Sequence, residues 1–223
     1  MIILIEVLAS LLLIFFGYIA TSIYLKNGNL KKLDIKCAFV LSRNRIIYLV
    51  IAVLKSALLI ILFNTLFSSF SFIHQLKLIV LSDCILPMAA VDFKVHKIPN
   101  QFILAALCLR VILLIVEFIR SYDAAIATLI DDAIGAAVIA GFFFIVSLAF
   151  KQSVGMGDIK LFAIMGLYQG IWGVLNSVFF SLAVSFFLSL GLLITRKKNR
   201  KDTISFGPSI FLGTLIAVSL TGI

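Results

Sequence analysis

Charge is scarce in this 223-residue sequence: Asp, Glu, Lys and Arg make up 13% of it, against 63% hydrophobic residues. A soluble domain of this size has too little interior to hide such a composition, so a water-exposed globular protein is excluded. Acid is scarcer than base, ten residues against nineteen, for a formal net charge of +9. That sign would suit nucleic acid, but the cations gather in a few short connections instead of forming a stripe. Lys26, Lys31, Lys32, Lys36, Arg43 and Arg45 fall in one, Lys94 and Lys97 in a second, Lys151 and Lys160 in a third, and Arg196, Lys197, Lys198, Arg200 and Lys201 in a fourth. In a membrane protein this distribution marks cytoplasmic loops. No nucleic-acid partner is expected; the partner that the composition implies is membrane lipid.

Cysteine and histidine are also few. Cys37, Cys84 and Cys108 stand alone, without CxxC spacing, which argues against a zinc site or a disulfide framework and leaves them as small packing residues. His74 and His96 have no second ligand at metal spacing and read as solvated or boundary residues. No metal is expected.

What the sequence does have is long apolar runs. Crossing a bilayer takes roughly 20 helical residues, and segments near 2–25, 46–67, 76–92, 101–119, 133–150, 158–170, 174–195 and 205–222 read as helices. The expected fold is therefore all-α, a polytopic integral membrane protein of about eight transmembrane helices with its N-terminus outside. The first stretch lacks a basic leader and a small-residue cleavage site, and reads as a retained helix. The stretch from 158 to 195 is too long for one crossing and is interrupted by Gly166, Gly170 and Gly173. Asp123, Asp131 and Asp132 are expected in an external connection. Residues 1–70, two helices and a basic loop, form a module distinct from a six-helix core at 71–223.

Two acids stand where a helix meets a basic loop. Asp92 opens DFKVHKIPN, in which Pro99 restrains Ile98 to an extended conformation and Asn100 is a competent helix N-cap. Asp158 lies in GMGDIKLF, where Gly155 and Gly157 permit positive φ and close approach. On the eight-helix reading the chain leaves the membrane at Asp92 and re-enters it at Asp158, so the two carboxyls share a depth and a face. Such a pair can hydrolyse a peptide, one carboxylate taking a proton from water while the other, protonated, polarises the carbonyl. Asp92 ends a helix and Asp158 begins one, so helix dipoles predict Asp158 as the stronger acid.

Lys55, Asp83 and Arg110 fall well inside apolar segments, where an unpaired charge costs several kcal/mol. Each lies nine residues from the cytoplasmic end of its segment, or about 13 Å at the helical rise. They are expected to form a buried ion pair, Asp83 with Lys55 or Arg110. A small membrane transporter or channel using them as a relay is the competing functional reading.

At the two aspartates the sequence resembles the prepilin peptidase family, bacterial members of the GxGD aspartyl proteases. Asp92 with the later IPN is similar to that family's first aspartate block, and GMGDIKL, which contains Gly155, Gly157, Asp158 and Lys160, is similar to its GxGDxKL signature. Gly166 falls in a following Gly-containing helix, and FGPSIFLG at 206–213 resembles a final FGP helix. The resemblance covers about 83–223 and implies an aspartic endopeptidase of the bacterial cytoplasmic (inner) membrane, its active site facing the cytoplasm. Asp92 and Asp158 would be catalytic, Gly155, Gly157 and Lys160 would form an active-site loop, and Pro99 and Asn100 a structural turn. The implied partner is the hydrophobic N-terminal helix of a type IV prepilin or pseudopilin, cut at its short basic leader. Proteolysis would need no cofactor. S-adenosylmethionine would be required only if the N-methyltransferase activity common in the family is retained, and the first loop, with Cys37 alone, departs from the paired CxxC pattern of many relatives.

Overall fold

A computed structural model describes residues 2–27, 43–150, 154–195 and 205–223. Most of the basic-loop residues, including Lys31, Lys151 and Arg196, and also Cys37, lie outside the described residues. Among the described residues there are seven helices: α1 (Ile2–Asn27), α2 (Arg43–Thr65), α3 (Phe72–Val95), α4 (Asn100–Arg120), α5 (Tyr122–Ala149), α6 (Met156–Ile194) and α7 (Gly207–Thr221). The protein is an all-α polytopic membrane protein: α1, α2, α4, α5 and α6 are each long and apolar enough to cross a membrane, and α7 is a shorter apolar helix. A helix satisfies its own backbone, which hydrocarbon cannot do. Its apolar side chains can then face outward, as Leu12, Leu54, Ile119 and Phe186 do.

α6 accounts for the over-long apolar stretch. Gly170 has φ 67° and ψ −172°, a conformation open essentially to glycine alone. A Cβ there would also meet the Asp131 carboxylate at 1.9 Å. The helix breaks at this residue and the chain reverses. Gln169 Nε2 donates to Ser177 Oγ at 2.8 Å, eight residues on, a distance along the chain that a straight helix would spread over about 12 Å. Gly173 then lies beside Ile223, and Gly213 beside Ser181. The second half of α6 thus returns alongside α7. Among the described residues the seven helices thus give eight helical stretches, in the order of the apolar runs, with five of the helices long and apolar enough to cross a membrane.

α3 is the central helix, packed against α1, α2, α4, α6 and α7. It buries residues on all sides, including the polar Lys77, Asp83 and Asp92. α5 and the first half of α6 approach very closely: a Cβ on Gly166 would fall 2.5 Å from the Ala136 backbone, and one on Gly135 would fall 2.6 Å from Gly170. Small residues let two membrane helices gain dispersion contact that larger side chains would prevent.

One expectation is corrected here. Asp123, Asp131 and Asp132 belong to α5 and not to an external connection. Asp132 is 2% exposed because Lys77 and Arg110 both donate to it. With its charge paired, the acid can lie inside the bundle.

Candidate active site

The end of α3 holds Asp92. His96 caps that helix in the left-handed region, φ 51° and ψ 38°, and donates its backbone N–H to Asp92 O at 2.8 Å. Chain direction then changes over Lys97 and Ile98, and α4 begins. Its N-cap is Pro99 (φ −70°, ψ 134°), not Asn100, which is the first helical residue. Asn100 has a different use: its Oδ1 accepts a hydrogen bond from Lys160 Nζ at 2.9 Å. Pro99 and Asn100 therefore make a turn that the first part of α6 clasps.

Asp158 lies in the first turn of α6, half-buried, and its backbone N–H bonds to Gly155 O at 3.0 Å. Gly155 is the N-cap with φ −65°, so neither it nor Gly157 adopts a positive φ. The glycines matter for closeness instead. A Cβ on Gly157 would sit 3.2 Å from Ile98 Cβ, and one on Gly155 would sit 3.0 Å from Asp158 Oδ2. α6 can thus reach the α3–α4 turn, and the Asp158 carboxyl can fold back over its own cap.

The two aspartates lie at the same end of the bundle. Lys160 bonds to Asn100, and seven residues later Leu167 O accepts from Arg110 Nε, so α4 and the first half of α6 leave that end side by side. α3 arrives there from the other direction, and Asp158 lies within electrostatic range of Asp92. Beneath them Phe162 stacks on Phe143, centroids 4.6 Å apart, and meets Phe206 edge-on at 5.9 Å. This aromatic floor ties α5, α6 and the start of α7 together.

A third contributor comes from α7. Gly207 donates its backbone N–H to Asp92 Oδ2 at 2.8 Å, across 115 residues of sequence. The approach admits no side chain, since a Cβ on Gly207 would lie 2.9 Å from both Cβ and Oδ2 of Asp92. Both carboxyls therefore stand at helix N-termini, Asp158 at that of its own helix and Asp92 at that of α7. At Asp92, in the last turn of α3, the N-terminus of α7 thus offsets the dipole asymmetry expected to rank the two acids.

Among the described residues, no three His, Cys, Asp or Glu side chains converge as a metal site would require. Lys55, Asp83 and Arg110 fall, among the described residues, into two clusters, not one. Lys55 Nζ donates to Asp83 Oδ1 and, at 3.0 Å, to Ser82 Oγ, joining α2 to α3. Of the two cations offered as the partner of Asp83, Lys55 pairs with it, whereas Arg110 pairs with Asp132 and with Glu117, the latter at 3.1 Å, while Lys77 reaches Asp132 at 2.9 Å. Counting residues along a segment gives depth, but not which way a side chain points around the helix axis. Lys77 and Glu117, absent from the sequence-level cluster, follow the same logic as Lys55: each is a charge inside an apolar segment that needs a partner.

A model of the type IV leader peptidase family matches residues 79–194, just over half of the chain, a span that holds both aspartates. The chain is similar to the prepilin leader peptidase/N-methyltransferase of Bacillus subtilis (strain 168), at 26% identity over 141 residues. That match covers 62% of this chain and 53% of the relative, so about half of the relative's length is represented. No solved structure matches the chain. With two aspartates placed at one end of a polytopic helical bundle, and with the family model spanning both, the chain belongs to the type IV leader peptidase family.

Proposed function

We propose that the protein is a membrane aspartic endopeptidase that removes the short basic leader of a type IV prepilin or pseudopilin at the cytoplasmic boundary of the inner membrane, using Asp92 and Asp158. The observation that carries this reading is that Asp92 and Asp158 lie within electrostatic range of each other at one end of the bundle, with the Gly207 amide fixed on Asp92. Family membership supports the substrate class.

In the reaction Asp92 is the base. One of its oxygens is occupied as an acceptor of the Gly207 N–H, which holds the carboxylate in place and leaves Oδ1 for water. Asp92 takes a proton from that water, and the resulting hydroxide attacks the scissile carbonyl carbon. Asp158 gives its proton to the carbonyl oxygen, so a neutral tetrahedral diol forms. Asp92 then passes its proton to the leaving nitrogen, the C–N bond breaks, and the proton of one hydroxyl returns to Asp158 as the new carboxyl group forms. No cofactor enters these steps.

The relay of a transporter has less support, because Arg110 lies with Asp132 and Glu117 instead of continuing from Lys55 and Asp83. Co-expression with a type IV prepilin separates the two readings. Loss of a leader-length piece with the wild-type protein, and uncut substrate with Asp92→Ala and with Asp158→Ala, is expected. A mobility shift that persists in both variants would defeat the protease reading.

A further inference from the structure

An apolar groove of about 710 Å³ runs along the bundle between α2, α3 and α7. One wall is α2, where Ile51, Leu54 and Leu58 recur at helical spacing; the opposite wall is Phe211, Leu212 and Leu215 of α7. The floor is α3, where Leu86, Ala89 and Ala90 present mostly short side chains. Lys55 also lines it, but its ammonium group is turned to Ser82 and Asp83, so that the wall presents its methylenes. The groove is open on the side facing lipid, where Leu54 is 64% exposed.

The position of this groove matters more than its chemistry. Its floor residue Ala89 and its rim residue Phe93 flank Asp92 on α3, and Pro208 follows the glycine whose amide holds the Asp92 carboxylate. The groove is therefore continuous with the candidate active site and leads from it into the depth of the bilayer. Its α2 wall extends from Ile47 to Leu58, twelve residues, or about 16 Å of helix. Sinking a helix about 10 Å wide to half its depth over that length requires roughly 600 Å³, which is close to the space present.

We infer that this groove receives the apolar N-terminal helix of the substrate, laid between α2 and α7 so that its leader junction emerges at Asp92 and Asp158. The inference rests on the prepilin peptidase reading. It explains a gap that is otherwise costly: α2 and α7 touch only slightly, although both pack on α3. A substrate helix entering sideways from lipid would restore the missing contacts on both walls, and the apolar lining accepts any helix of suitable width. Specificity for the bond cut would then come from where the helix stops sliding, at the rim formed by Phe93 and Lys94.

The test uses the full chain carrying Asp92→Asn, so that substrate is bound but not consumed, with a photo-crosslinking benzoylphenylalanine placed at Leu54 or Leu212 and, as controls, at Phe179 or Phe187 on the lipid-facing side of α6. The protein is co-expressed with a type IV prepilin. Prepilin adducts are expected at Leu54 and Leu212 and several-fold weaker ones at the control positions. Equal adducts at Phe187, or adducts to phospholipid alone at Leu54, would overturn the groove. A parallel arm gives the wild-type protein the same prepilin. Cleavage there without a Leu54 adduct removes the groove and leaves the peptidase reading standing, whereas uncut prepilin removes both. Ala90→Trp, which fills the floor, is expected to raise KM for prepilin about tenfold while kcat changes little; an unchanged KM in the folded variant would also overturn the inference.

Discussion

Gly207 is the residue on which the geometry of the site turns most sharply. Its N–H reaches Asp92 Oδ2 at 2.8 Å only because no side chain intervenes. A methyl group would press against Asp92 Cβ and Oδ2 at 2.9 Å and against Ala89 Cα at 3.2 Å. Backbone on one side and the hydrogen-bonded Asp92 carboxylate on the other leave little room to yield. Gly207→Ala is therefore expected to leave the fold intact but to lower kcat by roughly 10²-fold, the cost of misplacing a reacting group by about 1 Å; a cleavage assay with a melting curve on the same preparation checks both. Asp92 and Asp158 themselves stood out in the sequence, because each is an acid at the end of an apolar run beside a local Pro or Gly signature. Gly207 had no such signal. Its role exists only through a contact 115 residues away in sequence, and FGP alone does not say what its first amide will face.

At the scale of helices, two kinds of contact hold the frame. The first is close backbone approach, as at Gly166, whose Cβ position is filled by Ala136 2.5 Å away. Gly166→Leu is expected to force α5 and α6 apart and to lower thermal stability by about 1–3 kcal/mol, the usual cost of overpacking, with cleavage lost in parallel because Asp158 rides on α6. Denaturation in detergent, followed alongside activity, would show whether the two fall together. The second is ion pairing across helices. Removing Lys55 alone leaves Asp83 buried without its cation, so Lys55→Met is expected to cost about 3–5 kcal/mol. Lys55→Met with Asp83→Leu should recover most of that loss, and a thermal-melt cycle over the four proteins measures the coupling. The sequence offered Lys55 or Arg110 as the partner of Asp83 without choosing between them, because depth along a helix leaves the angle around it open; Lys55 is the partner. The sequence also read Asp132 as a loop acid, since a buried acid betrays itself only through partners on other helices, here Lys77 and Arg110.

Taken whole, the molecule is a helical bundle arranged so that one end gathers the termini of α3, α6 and α7 and the turn before α4. The long apolar runs made that architecture readable, and the interruption at Gly170 marked the reversal within α6, although the sequence could not distinguish a break at that glycine from one at Gly166 or Gly173. What the bundle accomplishes is to bring two carboxyls, 66 residues apart in sequence, to the same end and within electrostatic range of each other. Groups that act as a unit are not additive: once one is disabled, removing the other changes little. The most direct test is cleavage of a type IV prepilin in liposomes by the wild-type protein, Asp92→Asn, Asp158→Asn and the double variant, with the product mass identifying the bond cut. Each single variant is expected to fall to background, by at least about 10²-fold, and the double variant to fall no further. A single variant that keeps cleavage near the wild-type rate, or losses that multiply in the double variant, would contradict a shared catalytic pair.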